Sequence, residues 1–511
     1  MADSNTPYEK PTLDKDLEKY TFIESATQFV LKRAAPPGLG LIFLSLSALL
    51  ATLYVTGNPD AAVIVAASAI AAYMAMNIGA NDVTNNIGAA VGARAISMAA
   101  ALLLAAACEI AGAMLAGGEV VATIKTGIVA PSEMANPGDM ITIMMSALLA
   151  AALWINLATW LNAPVSTTHS IVGAVLGSSV VVLGFGAIKW GIVGSIAVAW
   201  LLSPLISALV AIAFLWFIKD RIIYATDKVT AAKTWVPVLL AIMTGAFSSF
   251  LLLKIPNHLV AVNVAGALAA GSLTGLASHV FYLRRIRAAA KNLENRNQSL
   301  KILFRMPLIL AAALLSFAHG ANDVANAIGP LAAIVEAAGI RSVATNLDAP
   351  FWVMLIGALG ISVGLLLFGP RLIRVVGEQI TKLNPMRAFC VSISAAITVI
   401  VASVLGLPVS STHVAVGAVF GVGFFREWYT ARSLRRQAYI DARSPADAGT
   451  AKVKKKEHGD DEEDRESENS RYRFLVRRSH LMTIMAAWLV TVPVSGLISA
   501  LVTAILLAID F

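Results

Sequence analysis

Two short motifs each occur twice in this chain, and they hold most of the residues whose chemistry could carry a function. NIGANDVTNNIGAAVG at 77–92 returns as AHGANDVANAIGPLAA at 318–333, aligning Asn81 with Asn322, Asp82 with Asp323 and Asn85 with Asn326. PVSTTHSIVGAVLG at 164–177 returns as PVSSTHVAVGAVFG at 408–421. Asp and His stand 87 residues apart in the first copy and 90 in the second, so a whole unit has been duplicated. A weaker third match sets Trp200 and LISALV (205–210) against Trp488 and LISALV (497–502).

The first motif places a carboxylate and amides in stretches otherwise free of charge. At membrane depth an ionised Asp costs at least ~2.5 kcal/mol, so Asp82 and Asp323 call for compensating cations. Asn85 and Asn326 offer further hard oxygen ligands, which suit Na⁺, whereas a carboxylate alone would serve a proton. Gly79 and Gly320 would let the helix unwind and expose carbonyls. The second motif reads as a helix start, with Pro in the first turn followed by hydroxyls. Ser166, Thr167, Thr168 and Ser410, Ser411, Thr412 would join free N–H groups there, a setting that binds a small oxyanion. Two such ends facing each other near the midplane would hold the anion while the carboxylates hold cations.

Plainer readings stand beside these. The Asp and Asn side chains would also serve as caps of broken helices, and the hydroxyls as partners of helix carbonyls. His169 and His413 either relay protons, hydrogen-bond a ligand, or pack as neutral rings. Glu109 breaks the symmetry, since its counterpart falls near Ile361. It is either a further cation or proton site or the partner of Lys125.

The elements that must position these groups are membrane helices. Of 511 residues, 58% are hydrophobic and 14% charged, a balance that excludes an ordinary soluble enzyme. Each crossing needs ~20 apolar residues, and 140–188, 388–425 and 481–509 contain no Asp, Glu, Lys or Arg. Cys108 and Cys390 both lie in apolar stretches, which speaks against a disulfide framework. The net charge of +8 reports cytoplasmic loops rather than nucleic acid. The expected fold is an all-α polytopic membrane protein of 12–13 transmembrane helices in two inverted repeats, with broken or half-helices at the central site.

Loop charge sets the orientation. The segment 284–305 carries seven basic residues and one acidic, and belongs in the cytoplasm. The segment 426–480, with KVKKK beside GDDEEDRESE, reads as a disordered cytoplasmic linker inserted in the second copy. Thirteen apolar segments result: 38–56, 60–93, 96–117, 140–161, 164–185, 190–218, 235–253, 257–283, 306–332, 351–370, 386–405, 408–425 and 481–509. The organisation is a cytoplasmic tail 1–37, an extra helix 38–56, repeat 1 at 60–219, connecting helices and a basic loop at 220–305, and repeat 2 at 306–425 with its last helix at 481–511. Residues 16–33 have partial helical periodicity and either lie along the membrane surface or form a solvated tail. The expected location is the cell or inner membrane, with the N-terminus cytoplasmic and the C-terminus external. Segment 60–93 then runs inward and 306–332 outward, so the repeats are inverted, as in secondary transporters.

With GANDV-N present twice, each followed by PVS-[ST]-TH, the chain resembles the inorganic phosphate transporter (PiT) family of cation-coupled symporters, from about residue 60 to the C-terminus. The resemblance implies twelve helices in two inverted repeats and phosphate uptake driven by Na⁺ or H⁺. It implies that Asp82, Asn81, Asp323 and Asn322 belong to the cation and phosphate centre, with the PVS-[ST]-TH hydroxyls on phosphate. The chain departs from the pattern in its extra segment 38–56, its charged linker, and Thr84 where the second motif has Ala325. The family also includes sulfate carriers, which leaves the choice of dianion, and of a metal–phosphate complex, open. A passive anion channel would not need the carboxylates, a phosphoryl-transfer enzyme would not need the site twice, and no P-loop pattern is present. The expected protein is a carrier and not an enzyme, without a cofactor beyond the coupling ion, with phosphate, cation and lipid bilayer as partners. Association of two copies as a homodimer is compatible with the sequence.

Overall fold

Apolar runs of twenty residues and more have no way to satisfy their backbone in lipid except as helices, and helices are what the chain forms. The computed structural model describes residues 11–129, 136–161, 163, 165–254, 262–340, 349–379, 384–432 and 478–509. In chain order these are α1 (Pro11–Val55), α2 (Ala61–Gly92), α3 (Met98–Ala116), α4 (Gly118–Ala122), α5 (Pro137–Trp160), α6 (Thr167–Leu183), α7 (Trp190–Ile218), α8 (Lys228–Lys254), α9 (Val264–Ala289), α10 (Asn297–Leu303), α11 (Arg305–Asp323), α12 (Ala325–Ala337), α13 (Phe351–Gln379), α14 (Pro385–Val404), α15 (Ser411–Arg432) and α16 (Arg478–Ala508). Among the described residues there is no strand, only a single bridge between Val129 and Ile188.

Eleven helices are long and apolar enough to cross a membrane. The two expected segments outside that set are the ones that begin with PVS. α6 has only 17 residues, and α15 carries Arg426, Glu427 and Arg432 in its second half. Each forms a hairpin with the helix before it, α5 with α6 and α14 with α15. Residues 16–33 are helical and continuous with the first span, so the start of the chain is one 45-residue helix that runs through Pro36 and Pro37. Those two prolines remove hydrogen-bond donors within the helix without ending it. The linker expected at 426–480 lies outside the described residues, apart from its ends in α15 and α16.

The duplication reappears as reciprocal packing. α2 packs on α13 and α11 on α3; α6 packs on α16 and α15 on α7; α2 on α5 matches α11 on α14. Each copy therefore completes its packing with a helix of the other, the pattern a two-fold relation produces. Glycine sets the closeness of these crossings. A Cβ at Gly320 would overlap the carbonyl oxygen of Glu109, and one at Gly79 would overlap that of Ile361. Glu109 and Ile361 are thus spatial counterparts, as the repeat alignment expected. The expected unwinding at these glycines does not occur: α2 runs unbroken through Gly79–Asp82, and in the second copy only Val324 interrupts the helical bonding, three residues past Asn322's neighbour Ala321. The glycines serve close approach between helices.

Two large apolar cores result. One gathers α1, the first half of α2, α5, α6, α12 and α13; the other gathers α7, α8, α11, α14 and α15. The paired motifs lie where these two bodies meet.

Candidate functional site

Four helix segments bring the motif residues together. α2 supplies Asn81, Asp82, Asn85 and Asn86, α11–α12 supplies His319, Asn322, Asp323 and Asn326, and the starts of α6 and α15 supply the hydroxyls. Ser166 and Ser410 cap those starts: their Oγ atoms accept from the N–H of His169 at 3.1 Å and of His413 at 3.3 Å. Pro408 therefore precedes its cap instead of occupying the first turn, and Pro164 lies outside the described residues. With the two serines used as caps, the next residues carry the hydroxyls that reach the carboxylates.

Asp82 is fully buried. Its Oδ1 accepts from Asn81 Nδ2 (2.8 Å), Thr412 Oγ1 (2.9 Å) and Asn85 Nδ2 (3.4 Å), and its Oδ2 from Thr167 Oγ1 (3.1 Å). One carboxylate thus receives hydroxyls from both hairpin tips. Asp323, equally buried, accepts from Ser411 Oγ at 2.6 Å. Asn326 Nδ2 donates to Thr168 (3.2 Å) and Thr167 (3.4 Å), while Asn85 Nδ2 donates to Thr412 at 2.9 Å, so each copy's Asn reaches the other copy's hydroxyl. Thr168 Oγ1 donates to the Val409 carbonyl at 3.0 Å and joins the tips directly. Asn81 and Asn322 hold the tips from behind. Asn81 Nδ2 donates to Val165 O at 3.1 Å, and Asn322 Nδ2 to Leu407 O at 3.3 Å and Ser403 Oγ at 3.1 Å.

The residue that the repeat comparison passed over is His319. It stands four residues before Asp323, one helical turn, where the first copy has Ile78. Its Nδ1 lies 3.1 Å from Glu109 Oε1; its Nε2 lies 3.0 Å from Asp323 Oδ2 and 3.7 Å from Asp82 Oδ2, within ion-pair reach though not aligned as a hydrogen bond. Glu109 also accepts from Asn86 Nδ2 at 2.7 Å. The alternative pairing of Glu109 with Lys125 is not what forms, because Lys125 meets Glu336 at 2.9 Å at the end of α12. Glu109 and His319, whose counterparts in the other copy are the apolar Ile361 and Ile78, are partners of each other.

His169 and His413 sit behind the hydroxyls, packed against each other edge to face with centroids 4.4 Å apart. His169 also packs on Trp200 (3.8 Å) and His413 on Trp488 (3.6 Å). This gives the weak third repeat a purpose, for the two tryptophans flank the His pair. Both ring nitrogens of His169 and Nε2 of His413 are buried without a hydrogen-bond partner among the described residues.

The donor set can be tested for what it would hold. Asp323 Oδ1, Asn326 Oδ1, Asn86 Oδ1 and Glu109 Oε2 are buried acceptors without a hydrogen-bond partner among the described residues. Unpaired buried oxygens are costly, and a cluster of them fits a hard cation. Asp82, His319 and Asp323 also present three ligand atoms within 4.8 Å of one another. On the anion side, the first-turn amides of α6 and α15 lack helical partners by construction and adjoin the same hydroxyls.

A multi-pass helical membrane protein with buried carboxylates and two helix starts converging between its repeated halves has the construction of a membrane carrier. The profile of the phosphate transporter family matches residues 78–499, and the chain belongs to that family. Relatives named "Putative phosphate permease" include one from Helicobacter pylori, 44% identical over 94% of this chain and 96% of its own, and one from Pyrococcus abyssi, 33% identical over 85% and 95%. A solved structure, "The sodium-dependent phosphate transporter", superposes with a TM-score of 0.73 at 31% identity, covering 88% of this chain and all of that one.

Proposed function

We propose that the chain takes up inorganic phosphate by cation symport, with Na⁺ as the coupling ion in preference to H⁺, through alternating access between inverted repeats. The observation that carries this reading is Asp82, whose carboxylate accepts hydroxyls from Thr167 of one hairpin and Thr412 of the other. A cation taken up beside Asp82 or Asp323 changes the charge between the two hairpin tips, and those tips carry the oxyanion donors. Cation and dianion then offset each other's desolvation, so neither is well held alone. Asp82 and Asp323, with Asn85, Asn326 and Glu109, are the cation ligands in this reading; Thr167, Thr168, Ser411, Thr412 and the first-turn amides hold phosphate. Ser166 and Ser410 shape those turns as caps, and Asn81 and Asn322 steady the tips. Oxygen acceptors outnumber donors around Asp323 and Glu109, which suits a metal cation better than a proton, and the structural relative's name gives sodium dependence to that protein.

Uptake of labelled phosphate into liposomes holding the purified protein, with Na⁺ and pH gradients imposed separately, tests the reading. Uptake should follow the Na⁺ gradient; uptake that ignores Na⁺ and follows pH would reject the ion choice. A second reading, transport of a divalent metal–phosphate complex, draws on the His319 nitrogen beside two carboxylates. It predicts that Mg²⁺ or Mn²⁺ is required and enters with phosphate, and sulfate competition in the same assay reads the anion preference.

A further inference from the structure

α9 is the helix least covered by the rest of the chain, with 11% of its apolar window buried. It packs chiefly on α8, through Gly271 and Gly275 against Gly245, and also buries Ala267, Tyr282 and Ile286. The opposite face, with Leu268, Leu273, Leu276, Val280 and Phe281, is exposed, as lipid contact requires. Over the last three turns this face changes character. Ala277, Val280, Phe281, Arg284, Arg285 and Ala288 border a shallow, open groove along this one helix. Their spacing of three and four residues makes them one continuous stripe along the helix.

The stripe is apolar at its membrane end and doubly cationic at the other. The Arg285 guanidinium lies over the Phe281 ring, 5.3 Å from its centroid, which fixes the planar fork while leaving its N–H groups available. Among the described residues no carboxylate comes within 4.0 Å of Arg284, Arg285 or Arg287. The nearby Arg296 differs, being paired to Glu294. An unneutralised pair of Arg side chains above an apolar groove on a membrane-crossing helix matches one kind of ligand. It has a phosphate at one end and a hydrocarbon chain at the other.

We propose that this end of α9 is a binding site for an anionic phospholipid, with the phosphate on Arg284 and Arg285 and an acyl chain along Phe281, Val280 and Ala277. Arg forks bind phosphate bidentately, and basic clusters at a membrane boundary attract anionic headgroups. The stripe continues directly into Leu276 and Leu273, the path an acyl chain would follow. The site stands apart from the transport centre and does not depend on how that centre works.

Native mass spectrometry of the full-length protein, released from mixed micelles of phosphatidylglycerol and phosphatidylcholine, tests this. Wild type should retain phosphatidylglycerol at least tenfold over phosphatidylcholine. The R284Q/R285Q double variant should lose that preference, R284K/R285K should keep part of it, and R296Q should match wild type. Both altered residues are exposed, so elution as a single species by size exclusion verifies folding. Equal retention of the two lipids by wild type, or undiminished preference in the double variant, would overturn the proposal. So would displacement of the lipid by millimolar inorganic phosphate, which would assign the arginines to the free anion. A second copy covering the groove would appear as a dimer carrying no lipid there, and this too would overturn it.

Discussion

At the residue scale, the centre is held by charge and by hydroxyls that answer it. Asp82→Asn and Asp323→Asn keep shape and remove the charge that would draw a cation, so uptake should fall by at least tenfold in each while the protein still reaches the membrane. Full uptake in both would reject the cation assignment. Thr412→Val removes a 2.9 Å hydrogen bond to Asp82, and should chiefly weaken apparent phosphate affinity, on the scale of ~1.5–3 kcal/mol for a bond to a charged group. Glu109 and His319 invite a sharper experiment, because the other copy has solved the same packing with Ile361 and Ile78, both fully buried in one apolar core. Removing one partner leaves a buried polar group alone, at a cost of ~3–5 kcal/mol, whereas replacing both with Ile repeats an arrangement the fold already uses. The E109I/H319I double variant should therefore melt above either single variant in detergent, a non-additive result. Uptake should remain lost in the double variant. Recovered uptake would show that the pair only packs.

At the element scale, the crossings depend on absent side chains. Gly320→Ala would drive a methyl group into the Glu109 carbonyl, and overpacking of that kind costs ~1–3 kcal/mol or more. Gly88→Ala, on the same class of helix, meets only Thr84 Cβ at 3.8 Å and should be neutral or stabilising by up to ~1 kcal/mol. Expression and thermal unfolding of the two variants, measured side by side, check the contrast; equal behaviour would remove close approach as the reason for glycine. Most of the helices were legible from apolar runs alone: 190–218 coincides with α7, and 386–405 and 306–332 lie within a few residues of α14 and of α11–α12. That the PVS segments begin as helices only after their serine caps, at Thr167 and Ser411, was not legible, since an apolar run does not mark the residue at which its helix starts. The helix over 16–33 showed as partial periodicity, but its charges left a surface helix and a solvated tail both open, and its unbroken continuation into the first span was not legible. His319 was missed for a related reason. Matching the copies selects what is common, and His319 with Glu109 is what differs.

At the scale of the whole molecule, the loops sort themselves into two sets. Asn58 donates to the Ala338 carbonyl at 2.9 Å, Lys125 meets Glu336, Lys254 meets Glu119 and Lys189 donates to Thr126 O at 3.1 Å. Separately, Asn295 joins the Lys228 amide and Thr226 O, Arg305 donates to Arg94 O at 3.2 Å, and Lys219 lies over the Tyr429 ring. Every one of these contacts joins segments that loop charge alone had assigned to the same side. The contacts group the loops, and the seven basic residues of 284–305 are the reason to expect their group at the cytoplasmic face. Labelling can read this directly, with Cys108 and Cys390 first replaced. Ser299 is a poor reporter because it is buried and bonded to the Glu294 carbonyl, whereas Gln298 and Thr56 are exposed. A single cysteine at Gln298 should be shielded from an impermeant maleimide in intact cells and react after permeabilisation. One at Thr56 should react in intact cells. The reverse pattern would turn the whole molecule over, and labelling of both from outside would break the odd count of crossings between them on which the inverted relation of α2 to α11–α12 rests.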